Sequence, residues 1–225
     1  GYVFLVIFLF GIGYLTFEPG RGSFFLTRQA DLSPFFRYIP WMFLFLIPAV
    51  SMRLWAEERK SGTIELLLTM PVSVREATLA KFFASWSFIG IALVGTFPMV
   101  LTASYLGNPD YGVIALGYLS SLLVGGALLS VGLFFSALTK NQVVSFILTV
   151  VASFILIMAG SPPVLDFLSV ILPQYGQDLF ESLSVLNHFE SMERGVLVLS
   201  DLWFFAAMML CWLLGSMVLV GESKA

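Results

Sequence analysis

The chain has 225 residues, of which 59% are hydrophobic and only 11% charged, with a mean hydropathy of +0.95; a soluble domain carries roughly a quarter charged residues. This composition excludes an ordinary soluble domain and marks an integral membrane protein. A net charge of −3 with no basic run excludes nucleic acid as a partner, and the absence of a G-x-x-x-x-G-K-[ST] loop in so apolar a chain leaves no room for a nucleotide-binding domain.

A helix rises 1.5 Å per residue, so about 20 apolar residues cross the roughly 30 Å hydrocarbon layer. Apolar runs of this kind, with charged residues only toward their ends, occur at 1–17, 38–56, 74–106, 113–138, 141–160 and 201–220. They are continuous rather than alternating, which disfavours barrel strands, and helices satisfy their own backbone in lipid. The predicted fold is an all-α membrane protein: one transmembrane domain over residues 1–225, built as a six-helix bundle.

The first run begins at Gly1 without an initiating methionine, which places its expected start upstream. A cleaved signal peptide is the competing reading; the run is longer than a usual signal core, and no small-residue cleavage pattern follows it. Glu18-Pro19-Gly20-Arg21-Gly22 is a turn-rich exit, and Asp31 to Arg37 leads into the second run. Pro48 in the second run and Pro98 in the third free backbone carbonyls and predict kinks.

Between the second and third runs lies Glu57 to Ala77, EERKSGTIELLLTMPVSVREA, a charged interruption in an apolar chain. Glu57, Glu58, Arg59 and Lys60 extend the second helix by one turn, and Gly62 stops it. Thr63 is placed to cap a two-turn helix of Ile64, Glu65, Leu66, Leu67, Leu68, Thr69 and Met70, which Pro71 ends because the residue before proline avoids the helical region. Ser73 followed by Glu76 matches the S-x-x-E capping box, so a new helix starts there and carries Lys81 near the surface. Ile64, Leu67, Leu68 and Met70 give the short helix more apolar surface than an isolated turn should expose. It either lies in the headgroup layer or plugs a groove of a soluble partner.

The fourth run carries Gly117, Ser121, Gly125, Gly126, Ser130 and Gly132, a small-residue face that allows close helix approach. Such a face serves packing within the bundle, packing between copies, or a polar lining of a translocation path. The turn Gly107-Asn108-Pro109-Asp110 precedes this run and a tight link, Thr139 to Asn141, follows it. Residues 161–200 are too polar to span and too apolar for a free linker. Pro162, Pro163 and Pro173 divide them; Val164 to Leu172 covers half a bilayer, and Asp178 to Glu193 reads as one amphipathic helix with Leu179, Phe180, Leu183, Leu186 and Phe189 near helical spacing. The segment fits re-entrant helices or helices lying on the outer leaflet.

Catalytic chemistry has little support. The runs hold essentially no ionisable residues away from their ends, which discourages ion-coupled carriage. The lone histidine, His188, excludes an H-E-x-x-H site, and its grouping with Glu190, Glu193 and Arg194 reads as surface-helix charge. The single cysteine, Cys211, reads as a packing residue of the sixth run. No metal and no cofactor is expected in this chain.

With six crossings, Arg53, Arg59, Lys60, Arg75, Lys81, Lys140 and Lys224 fall on one side, against Arg21, Arg28, Arg37 and Arg194 on the other. The excess places the 57–77 hairpin and the C-terminus in the cytoplasm.

The stretch EERKSGTIELLLTMPVS, with Lys81 beyond it, resembles the segment between the second and third transmembrane helices of type-2 ABC exporter permeases, most of all the gliding-motility-associated branch. Ser182 to Phe205, SLSVLNHFESMERGVLVLSDLWFF, is similar to the stretch before the last helix in that branch. The resemblance implies a bacterial inner-membrane permease that is not itself an enzyme. Residues 62–71 would be a coupling helix inserted into a separate ABC ATPase subunit, which would bind ATP and Mg²⁺. Glu57, Glu58, Arg59 and Glu65 match the charged positions around that helix, and Gly62, Thr63, Ile64, Leu67, Leu68, Met70 and Pro71 would bear the force. Residues 161–200 would hold outer gate helices. Two permease subunits, copies or relatives, would pair with two ATPases, and an auxiliary membrane or periplasmic subunit would be a further partner. The amphipathic helix that precedes the first span in this family is not in this sequence. A subunit that passes ATPase motion to an envelope partner without transporting anything is the alternative reading, and the substrate is not legible.

Overall fold

The computed structural model describes residues 2–17, 32–64, 73–169 and 180–222. Helix α1 is Tyr2–Phe17, α2 Ser33–Ser51, α3 Ala56–Ser61, α4 Val74–Val94, α5 Phe97–Leu106, α6 Tyr111–Leu138, α7 Gln142–Met158, α8 Pro162–Ser169, α9 Val185–Glu193 and α10 Leu199–Glu222. Among the described residues, four helical stretches are long and apolar enough to cross a membrane: α2 with α3, α4 with α5, α6, and α10. Helices α1 and α7 are apolar but shorter, at 16 and 17 residues.

Helix starts follow local chemistry. Asp110 accepts from the N–H groups of Gly112 and Val113 at the head of α6, and Asn141 accepts from Val143 N–H at the head of α7. The second helix begins at Ser33, ahead of the apolar run at 38, because Pro34 in its first turn needs no amide partner there. Its regular part ends at Ser51. The third run breaks at Gly95 and Thr96 into α4 and α5, just before Pro98, which has no N–H to carry the ladder across. The Thr96 hydroxyl fills part of that gap, 2.6 Å from Leu93 O and 2.9 Å from the Tyr118 hydroxyl.

Helix α6 is the axis of the bundle, with α2, α4, α7, α9 and α10 packed around it. From Val124 to Leu133 every residue is buried. The facing side of α2 buries Phe36, Ile39, Phe43 and Ile47, one per turn, the spacing of a helix face turned to a core. The faces turned away from α6 stay apolar, as with Ile91, Val94 and Phe97, the surface expected against acyl chains. Cys211 is on an exposed face of α10, not in the packing position expected of it.

The outer segment also departs from expectation. Residues 178–193 do not form one helix: the chain turns at Leu183, and the Ser184 hydroxyl accepts from Asn187 N–H to start α9 afresh. A serine able to cap interrupts an amphipathic pattern that otherwise reads as continuous. Val185, Phe189 and Met192 are fully buried, so α9 is seated on the bundle.

Candidate functional site: the base of the 57–77 hairpin

The second helix breaks at Met52–Trp55, where a side chain of α6 enters it. Ser136, in the last turn of α6, donates its hydroxyl hydrogen to Met52 O (3.1 Å) and accepts from Trp55 N–H (3.0 Å) and Ala56 N–H (3.1 Å). One donor and two lone pairs are all used. In an unbroken helix Ala56 N–H would bond to Met52 O, so the serine sits inside that bond, a recognised cause of helix kinks. Access comes from Gly132 one turn earlier, where a methyl group would overlap the Ser51 hydroxyl.

Beyond the break, α3 is tied to two further helices. Glu58 Oε1 lies 2.5 Å from Lys81 Nζ of α4. That ammonium also donates to Leu54 O and stands 4.4 Å above the buried Trp55 ring. Arg59 donates through Nη2 to Leu219 O in the last turn of α10 at 2.8 Å, where a helix leaves its carbonyls unmatched and a cation is favoured.

Gly62 ends α3 in the left-handed conformation, with φ +74°, the conformation that favours glycine. The Ser61 hydroxyl bonds back to Glu57 O at 2.9 Å. The Thr63 hydroxyl lies 2.9 Å from that of Ser61 and 3.5 Å from Glu58 O, facing the helix it has just left. On the return strand the Ser73–Glu76 box is complete, with Glu76 N–H to Ser73 Oγ at 3.2 Å and Ser73 N–H to Glu76 Oε2 at 2.9 Å.

The hairpin residues read together from sequence therefore divide. Glu57, Gly62 and Thr63 are exposed, whereas Glu58 and Arg59 turn inward to their own chain and Ile64 is buried. Glu65, Leu67, Leu68, Met70 and Pro71 lie outside the described residues. Sequence reasoning missed Ser136 and Trp55. A hydroxyl near the end of an otherwise apolar helix was the available signal for Ser136.

The small residues of α6 are buried against helices of the same chain. An added methyl at Gly117 would lie 2.6 Å from the Phe36 ring, at Gly125 3.0 Å from Ile89, and at Gly126 2.8 Å from Trp86 Nε1. Ser121 bonds to Gly117 O at 2.6 Å and Ser130 to Ala127 O at 2.7 Å, so both hydroxyls are satisfied within their own helix. The arrangement is that of helix packing.

His188 does not group with Glu190, Glu193 and Arg194 as a site. Its Nδ1 is 2.7 Å from Asp201 Oδ1, its Nε2 3.1 Å from Ser182 O, and its ring stacks on Phe204 at 4.1 Å, fastening α9 to α10. Glu190 pairs with exposed Arg194. Among the described residues no group of three or more histidine, cysteine or carboxylate side chains could hold a metal ion.

A multi-pass helical bundle around one central helix, with a braced polar hairpin at one end, is the build of a transport permease. Residues 2–156 match the family described as ABC-2 family transporter protein, and the chain belongs to that family. It is 28% identical over 142 residues to the inner membrane transport permease YhhJ of Escherichia coli (strain K12), a match covering 62% of this chain and 36% of that protein. The same figures hold for YhhJ of Shigella flexneri. The match thus spans little more than a third of the length of these curated relatives.

Proposed function

We propose that this chain is the membrane-spanning, non-catalytic subunit of an ATP-driven exporter whose energy enters at the 57–77 hairpin. The observation that carries this reading is the bracing of the hairpin's base. Helix α3 is held to α6 by Ser136, to α4 by Glu58 and Lys81, and to α10 by Arg59, so a push on the hairpin reaches three helices at once.

In this reading residues 62–71 form the coupling helix and dock in a groove of a separate ABC ATPase, which holds ATP and Mg²⁺. Glu57 and Thr63 stand on the exposed side, and Leu67 and Leu68 supply the apolar contact. Helices α1 and α7 complete six crossings of the bacterial inner membrane. The Lys and Arg excess puts the hairpin and the C-terminus in the cytoplasm. Two such chains, or one with a related permease, pair with two ATPases; residues 161–200 form the outer gate, and an auxiliary membrane or periplasmic subunit is a further partner. Assignment to the gliding-motility-associated branch rests on the hairpin and on Ser182 to Phe205.

The test is copurification with the ATPase from native membranes, comparing the parent chain with Leu67→Asp and Leu68→Asp. The reading expects at least a tenfold loss of bound ATPase with the chain still folded. Equal recovery from the parent and both variants would overturn it.

A further inference from the structure

The serines of α6 behave in two ways. Ser120, Ser121 and Ser130 bond back to carbonyls of their own helix, whereas Ser136 reaches into α2–α3 and occupies the place of the Ala56-to-Met52 bond. Two arrangements of this joint therefore satisfy Met52 O, the N–H groups of Trp55 and Ala56, and the Ser136 hydroxyl. With Ser136 inserted, its hydroxyl satisfies Met52 O, Trp55 N–H and Ala56 N–H. With Ser136 withdrawn, Ala56 N–H returns to Met52 O and Trp55 N–H to Ser51 O, as an ordinary helix requires, and the hydroxyl can bond to Gly132 O four residues back, as Ser121 does to Gly117 O. Unsatisfied backbone groups are costly in an apolar surrounding, so the exchange can proceed only because both ends of it are complete.

We propose that Ser136 is a positioning residue, a latch that sets the angle at which the hairpin leaves the bundle. Inserted, it holds α3 kinked against α6; withdrawn, it lets α2 and α3 close into one continuous helix and swings the hairpin. Pro48 lies one turn below the joint and already removes one bond from the ladder, so bending concentrates there. The claim that the ATPase drives the exchange rests on the function proposed above; the two arrangements themselves do not.

The test places spin labels at Lys60 in α3 and Lys140 beyond the end of α6, both exposed, in the full chain with Cys211→Ala, in lipid nanodiscs with its ATPase. Ser136→Ala removes one oxygen and leaves a good helix former, so the fold should persist. Without nucleotide, the parent should give one narrow Lys60–Lys140 distance distribution, Ser136→Ala a shifted one, and Ser136→Thr, which keeps the hydroxyl, the parent's. Trapping the ATPase with nucleotide and vanadate should move the parent toward the Ser136→Ala distance and leave Ser136→Ala unchanged. A Ser136→Ala distribution equal to the parent's would overturn the latch, and a parent that ignores nucleotide would overturn its role in the cycle. If no ATPase binds the parent, the proposed function falls, while the nucleotide-free comparison still decides the latch.

Discussion

Lys81 closes the mouth of the hairpin by reaching Glu58 at 2.5 Å, and it does so while donating to Leu54 O and covering the Trp55 ring. The two residues are 23 positions apart, on helices that enter and leave the hairpin. Their side chains are 20% and 29% exposed, between the surface regime, where a pair is worth about 1 kcal/mol or less, and the buried regime, where removing one partner costs about 3–5 kcal/mol. Lys81→Met should therefore cost about 2 kcal/mol and Glu58→Gln about 1 kcal/mol, because lysine loses three contacts and glutamate one. Exchanging the pair, Glu58→Lys with Lys81→Glu, should recover only part of the loss, since a glutamate cannot donate to Leu54 O. Unfolding in mild detergent measures each variant; full recovery on exchange would mean that the ion pair alone matters.

Arg59 caps the far end of α10. Arg59→Gln keeps a donor but loses the charge and the reach, so the last turn of α10 should loosen while the middle of the helix does not. The loss should be about 1 kcal/mol, the scale of a charged C-cap. Amide exchange checks this, with faster exchange confined to residues near Leu219; unchanged protection there would remove Arg59 from the junction.

Close packing on α6 makes a graded set. Gly117→Ala pushes a methyl into the Phe36 ring and Gly126→Ala into Trp86 and Met209, and both should destabilise by about 1–3 kcal/mol. Gly221→Ala, on α10, meets nothing within 4 Å among the described residues and should be neutral or gain up to about 1 kcal/mol from helix propensity. Thermal unfolding of the three variants in one detergent orders them; a damaging Gly221→Ala would point to an interface at that end of α10.

What was legible in the sequence was local. The apolar runs, the Gly62 stop and the Ser73–Glu76 box depend on residues within a turn of one another, so pattern and spacing carry them. The direction of Glu58 and Arg59 depends on Lys81 and on a carbonyl of α10, 160 residues away from Arg59, and four charges in a row read equally well as an outward flank. The end of α2 at Ser51 rather than at 56 is set by Ser136, 80 residues beyond Ala56. The break before α9 depends on whether Ser184 caps or lies in a helix, which the burial of Val185, Phe189 and Met192 decides. Long-range polar contacts to backbone leave no periodic trace.

The pairing of His188 with Asp201 sets a prediction of opposite form. Asp201 is 4% exposed, its Oδ1 faces His188 Nδ1, and its Oδ2 is buried with no hydrogen-bond partner among the described residues. Such a carboxylate depends on its one strong partner, because desolvating it without compensation is expensive. His188→Phe keeps the stack on Phe204 but strands the carboxylate, and should cost about 3 kcal/mol. Asp201→Asn keeps an acceptor for the ring and should cost about 1 kcal/mol. Replacing both, His188→Phe with Asp201→Leu, removes the stranded group and should recover most of what His188→Phe loses, so the coupling between the two sites is large and favourable to the double variant. Unfolding of the parent, His188→Phe, Asp201→Leu and the double variant closes the cycle, with limited proteolysis between α9 and α10 reporting whether the two helices stay fastened. Additive losses would mean that histidine and aspartate act separately, and that Phe204 stacking and the buried face of α9 hold the outer segment without them.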